Sequence, residues 1–272
     1  MSFHGYAARR VLTWFLPVSR VDRMSRSYWQ GRARLEKVIG DLRLSGGFLR
    51  DASLPMRFPS RLWFVIRCLY ISQRVNCPHT QGEILAFAKM MLLAPPGVFV
   101  EAGCFKGGST AKFSLIAQET GRELVVFDSF QGIPENAEPH EKDLSGHPVR
   151  FDAGSYAGSI DEVRANVARY GRIDRCRFVP GWFEETMPHF REPVAAAYLD
   201  VDLASSTATC LCHLYPLIVP EGFLVSQDGH LPLVVDVLRE WQGRNGVEFH
   251  GLGTAKLVWT AKGAEPVRVP SV

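Results

Sequence analysis

Val98-Phe99-Val100-Glu101-Ala102-Gly103-Cys104-Phe105-Lys106-Gly107-Gly108-Ser109-Thr110 decides the fold. A short apolar run ends on a glycine loop, and the loop opens a helical pattern over 109–120 that Gly121 closes at C′. A second apolar run follows over 124–127 and ends at Asp128. Upstream, Ile84, Leu85, Ala88, Met91 and Leu92 recur at helical spacing over 81–93, and Pro95-Pro96-Gly97 stops that helix. Downstream of Asp128 comes a loop of about 30 residues rich in Pro, Gly, His and acids. A helix over 159–170 then begins, with Ser159 as N-cap and Glu162 completing a capping box. Strands over 177–179, 194–199 and 222–226 alternate with helices over 205–218 and 232–242. Runs over 247–250 and 256–260 form a closing pair around Gly251-Leu252-Gly253. Strands apolar on both faces and alternating with helices predict an α/β, Rossmann-like fold. Its sheet is mostly parallel with helices on both faces, and the closing pair supplies one antiparallel strand.

The chain's 272 residues and 30.4 kDa suit one large domain or a domain with an appendage. Hydrophobic residues at 46% and charged residues at 22% exclude disordered and collagenous classes. The net charge of +3 is unevenly placed. Residues 1–80 carry 14 Lys+Arg against 4 Asp+Glu, and the remainder carries 17 against 24. We therefore expect a basic, partly helical extension over 1–80 packed on a mildly acidic body over 81–272. The residues Leu62, Phe64, Val65, Ile66 and Leu69 are expected to pack on that body, and the first part to be loose. Six cysteines show no zinc spacing, and reduced thiols in a cytoplasmic protein are the expectation. Cys210, Cys212 and His213 fall on a predicted helix and read as core lining. The apolar run 11–19 is too short to span a membrane and lacks the cleavage site of an export signal, despite Arg9-Arg10 before it. Peripheral membrane contact through the basic N-terminus is not expected. A homo-oligomer stays open.

In parallel sheets of this kind, ligands sit beyond the carboxyl ends of the strands. Those ends are polar here. In the first loop, Glu101-x-Gly103-x-x-x-Gly107 lets backbone approach a ligand closely, and the helix beginning near Ser109 offers free N–H groups. Phe105 stands where the dinucleotide fingerprint needs its second glycine, which disfavours a nicotinamide enzyme. The loop suits a smaller amino-acid-bearing nucleoside such as S-adenosylmethionine; a tight structural turn is the competing reading. Asp128 is placed to accept two ribose hydroxyls, or to form a turn with Ser129, Gln131 and Gly132. After the third strand, Trp182 and Phe183 can stack on a base or fill the core. Asp200, Asp202 and Asp228 make an oxygen-rich cluster that suits Mg²⁺, with helix capping as the alternative for Asp202.

Assembled, these residues resemble the TylF/MycF family of S-adenosylmethionine-dependent O-methyltransferases, over about residues 80–262. The likeness rests on the loop at 101–110, Asp128-Ser-Phe-Gln-Gly-Ile-Pro134, Val163-Arg-Ala-Asn166 with Tyr170-Gly171, Phe178-Val-Pro-Gly-Trp-Phe183, and Leu199-Asp-x-Asp-Leu203 with Ser206-Thr207. It implies a class I methyltransferase sheet of six parallel strands and an antiparallel seventh. It also implies cofactor contacts from Glu101, Gly103, Gly107 and Ser109, from Asp128, Ser129, Gln131 and Gly132, and from Trp182 and Phe183. By the same resemblance, Asp200 is a metal ligand and Asp202 the general base. The family pattern completes its metal site with two adjacent acids, where this chain has Gln227-Asp228. The expected reaction is transfer of a methyl group to a hydroxyl of a small, sugar-containing acceptor, assisted by Mg²⁺. The alternative is a methyltransferase-like binding or regulatory protein with a weakened metal site. Nucleic acid is not an expected partner, since no RNA-binding signature accompanies the basic stretch.

Overall fold

Seven strands form one sheet in the order β3-β2-β1-β4-β5-β7-β6. They are β1 Val98–Ala102, β2 Leu124–Asp128, β3 Cys176–Pro180, β4 Val194–Leu199, β5 Ile218–Ser226, β6 His250–Leu252 and β7 Thr254–Ala261. The computed structural model describes residues 45–252 and 254–263, without the side chains of 254 and 255. The expectations for a loose first part and for the run 11–19 lie outside the described residues. β1 pairs in parallel with β2 and β4, β2 with β3, and β4 with β5. β7 runs antiparallel to both β5 and β6, so six strands point one way and one points back. This is the class I methyltransferase arrangement expected above. The strand order reverses between β1 and β4, which opens a crevice at their carboxyl ends.

The strands that border this crevice are almost wholly buried, β1 carrying one charged residue, Glu101. β4 is buried at all six positions, and β2 at all but its last, Asp128. Helices α2 Gln81–Leu93, α3 Gly108–Thr120 and α4 Ile160–Tyr170 share one core with the sheet. Further on the chain forms α5 Phe183–Thr186, α6 Ala204–Leu214 and α7 Pro232–Asn245. Leu211 and Leu214 of α6 and Val234 and Leu238 of α7 belong to a second core with Val100, Phe127 and Leu199. Thr80 caps α2 through a full capping box with Glu83, each binding the other's backbone N–H.

Several boundaries differ from the sequence reading for identifiable reasons. The helix expected over 205–218 ends at Leu214, and Pro216 sits in a 3₁₀ turn at Tyr215–Leu217. The fifth strand starts at Ile218, four residues early, because Gly222 is accommodated inside it. The strand expected over 247–250 begins only at His250. The Ser159 box is half formed: Ser159 accepts the Glu162 N–H, but the Glu162 carboxylate pairs with Lys106 at 2.9 Å.

Upstream, helix α1 Phe58–Ser72 buries Phe64, Val65, Cys68 and Ile71 in the first core. Leu62 and Ile66 are exposed, so the buried stripe of α1 is rotated from the expected one. Arg67 donates to the Tyr170 carbonyl, tying α1 to the end of α4. Cys210 is buried, whereas Cys212, expected with it in the core, is exposed. Among the described residues no helix is long and apolar enough to cross a membrane.

Candidate functional site

The glycine loop after β1 is shaped by its neighbours. Gly103 has φ +84°, and a Cβ there would lie on the Asp200 carbonyl oxygen at the end of β4. Only glycine lets β1 and β4 meet this closely. Phe105 also takes a left-handed conformation at φ 48°, and Gly107 at φ 77° is the N-cap of α3. The loop therefore turns sharply and presents α3 end-on to the crevice.

Asp128 holds this loop. One carboxylate oxygen accepts the Cys104 N–H at 2.7 Å and the other accepts the Phe130 N–H at 2.7 Å. Each oxygen retains a lone pair for a further donor. Ser129 Oγ accepts from Gln131 N and donates to the Gly132 carbonyl, closing the turn.

A chamber of about 480 Å³ opens over these strand ends. Gly103, Asp128, Ser129, Gly132, Trp182, Phe183, Asp200, Asp202 and Gln227 all line it. Of the other candidate residues, Gln131 is exposed, while Glu101, Gly107, Ser109 and Asp228 are buried. The loop between β2 and α4 supplies much of the far wall, including Ile133, Asp143, Val149, Arg150, Phe151 and Tyr156.

Glu101 is fully buried, and neither carboxyl oxygen has a partner in hydrogen-bonding geometry. Burial pushes its pKa up to about 8, against the lowering influence of the Ser109 and Thr110 hydroxyls.

The acids at β4 and β5 converge. Asp200, Asp202 and Asp228 present ligand oxygens within 4.8 Å of one another. Asp228 Oδ2 accepts the Val201 and Asp202 N–H groups, each at 3.0 Å, and its Oδ1 lies 3.2 Å from the Gln227 amide. Asp202 stands at φ 61°, a left-handed conformation that orients its carboxylate at the cost of backbone strain. Burial, and then the neighbouring Asp200 charge, push Asp228 up to about 7. Burial, followed by Asp228 and Asp200, raises Asp202 well above the usual carboxylate range. Three crowded carboxyls call for protons or a cation.

The Gln227 amide lies 3.2 Å from both Asp200 Oδ1 and Asp228 Oδ1. Its nitrogen can bridge the two acids; turned over, its oxygen joins them as a third ligand. Together with second oxygens that are anchored elsewhere, this donor set fits a hard divalent cation.

Asp202 does not cap α6. Glu138 from the long loop does so, accepting Ala204 N at 2.8 Å and Ser205 N at 2.9 Å. Sequence reasoning missed Glu138, whose partners on α6 lie 66 and 67 residues away. It also missed His79, which contacts Asp200 Oδ2 at 2.9 Å through Nε2. The Thr80-x-x-Glu83 capping box was the available signal that this segment is ordered. His230 and Lys256 line the chamber as well, neither with an expected role.

A family model described as Macrocin-O-methyltransferase (TylF) matches residues 86–250, more than half of the chain. A relative from Streptomyces olivaceus, 8-demethyl-8-(2,3-dimethoxy-alpha-L-rhamnosyl)-tetracenomycin-C 4'-O-methyltransferase, is 35% identical over 158 residues. That stretch is 56% of this chain and 60% of the relative. Mycinamicin III 3''-O-methyltransferase of Micromonospora griseorubida is 33% identical over 160 residues, 56% of this chain and 63% of the relative. The matches thus span about three fifths of these relatives' lengths. The solved structure of the O-methyltransferase NovP aligns with a TM-score of 0.61 at 22% identity, over 75% of this chain and all of that one, a likeness of fold.

Proposed function

The chain belongs to the macrocin-O-methyltransferase (TylF) family, and from that premise we propose that it moves the methyl group of S-adenosylmethionine to a hydroxyl of a small, sugar-bearing acceptor. The observation that carries the reading is the convergence on one chamber of the glycine loop, Asp128 and the Asp200–Asp202–Asp228 cluster. The Streptomyces olivaceus relative acts, by its name, on a rhamnosyl-bearing compound, which supports a sugar hydroxyl as the acceptor group.

In this reading Asp128 takes the two ribose hydroxyls on oxygens already fixed by the Cys104 and Phe130 amides. Gly103, Gly107 and the N-terminal turn of α3, with Glu101 and Ser109 beneath, hold the amino-acid end. Ser129, Gln131 and Gly132 shape the turn beside the ribose, and Trp182 and Phe183 bound the base. Asp200, Asp228 and the Gln227 oxygen would hold Mg²⁺. Such a cation supplies orientation and acidity to the acceptor hydroxyl. Asp202 takes the hydroxyl proton as the oxygen bonds to the methyl carbon and the carbon–sulfur bond breaks. The long loop over residues 129–159 keeps oxygen and methyl at attack distance and excludes bulk water.

The test is methyl transfer from labelled S-adenosylmethionine to a panel of rhamnosides and other glycosides, with product mapping by mass spectrometry. A methyl ether on a sugar oxygen is the expected product. Tight binding of S-adenosylmethionine with no transfer to any glycoside would favour the binding-protein alternative.

A further inference from the structure

Behind the acidic cluster stands a row of buried polar groups that methyl transfer does not use. Lys112 on α3 is fully buried, and its ammonium donates one hydrogen bond, to Cys77 Sγ at 3.4 Å. The same sulfur lies 3.3 Å from His79 Nδ1. The imidazole's other nitrogen is the one that contacts Asp200.

Two independent features point at the sulfur. A buried ammonium needs an anion within reach, and the sulfur is its hydrogen-bond partner. The imidazole approaches that sulfur from the other side, so two nitrogen groups converge on one atom. The remaining groups facing it add no negative charge. Cys68 on α1 is fully buried and pushed up to about 12, and the buried Tyr198 hydroxyl on β4 is raised well above its usual range. Glu83 on α2 turns its carboxylate to the Thr80 amide instead. Against this, burial alone would raise the Cys77 thiol; His79 and Lys112 outweigh it and bring it down to about 7.

We propose that Cys77 is a modification site, a thiolate nucleophile held between Lys112 and His79 and open to small soft electrophiles and hydroperoxides. Cys77 is half-buried as a residue, and the adjoining Pro78 lines the chamber. With a hydroperoxide, the sulfur lone pair attacks one peroxide oxygen and the O–O bond breaks. Sulfur is oxidised to the sulfenic acid, and the second oxygen leaves as an alkoxide or hydroxide that takes a proton from water. An adduct there displaces the atom on which His79 rests, so the modification bears on Asp200 from behind. The other cysteines offer an internal contrast. Burial raises Cys104, Cys176 and Cys210, and Cys212 is the exposed reference thiol.

The experiment is timed alkylation of the full chain with iodoacetamide, read by peptide mass spectrometry. At pH 7, Cys77 is expected to react at least about tenfold faster than Cys212, with its rate rising through a midpoint near 7. Lys112→Met is expected to slow Cys77 at least about tenfold and leave Cys212 unchanged. Should that variant not fold, the wild-type pH profile decides. Reaction of Cys77 no faster than Cys212 from pH 6 to 9, or a rate that climbs only in the ordinary thiol range, overturns the proposal. Neither methyl donor nor acceptor is needed, so a failure here is distinguishable from a failure of methyl transfer.

Discussion

Asp128 accepts the Cys104 and Phe130 amides on its two oxygens, so its carboxylate holds the loop and, under the proposed function, takes the ribose as well. Asp128→Ala is expected to weaken binding of S-adenosylhomocysteine by about 1.5–3 kcal/mol, measured by calorimetry. Unchanged affinity would remove Asp128 from the cofactor site. Gln227→Asp is expected to tighten Mg²⁺ binding by adding ligand charge. Asp202→Asn should leave that affinity close to wild type and lower the transfer rate, since an amide takes no proton. Glu101 gives a pH signature. Its folded-state pKa of about 8 lies above its ordinary 4.5. The stability it contributes is therefore whole below about 4.5, falls as pH rises, and is gone above about 8. Thermal melts of the ligand-free protein should drop across that window, and Glu101→Gln should flatten the drop. At this scale the sequence showed Asp128, Asp200, Asp202 and Asp228 because strand ends are predictable places for ligand groups. His79 and Glu138 stayed hidden because the contacts that bring them to the site, with Asp200 and with the start of α6, are remote in the chain and no local pattern announces them.

At the scale of elements, the strands read clearly where apolar runs met glycine or acid, as at Val98–Ala102 and Leu124–Asp128. Ends set by tertiary contact read less well. Leu62 and Ile66 are as apolar as Phe64 and Val65, and only the position of α3 decides which stripe of α1 is buried. The β1–α3 turn is the most constrained junction. A Cβ on Gly103 would strike the Asp200 carbonyl, and the backbone there is left-handed besides. Gly103→Ala is expected to cost at least about 2 kcal/mol, seen as a lower midpoint in urea unfolding. Gly121→Ala has the same left-handed strain but open space around it, and should cost less. Equal losses in the two variants would deny the close approach of β1 and β4.

For the molecule as a whole, the alternation of strands and helices gave the sheet and its single reversed strand, because each βα unit is locally encoded. The enclosure of the chamber was not legible. It depends on a loop over residues 129–159 whose composition predicts irregularity and nothing of where it lands. That loop is tied to the body by Glu138 at the start of α6 and by Leu144 at the His230 carbonyl, and is closed on itself by backbone bonds of Ile133 with Ser155 and Gly154. The sheet contributes the strand ends and the loop contributes the opposite wall. The molecule is thus divided between a bench of strand ends and a jig laid across it. A lineage built this way can exchange its jig for another of different length, provided a carboxylate still reaches the first turn of α6. Under the proposed function, a change of acceptor then asks for splicing only beyond residue 132, because the turn at Ser129, Gln131 and Gly132 belongs to the donor's seat.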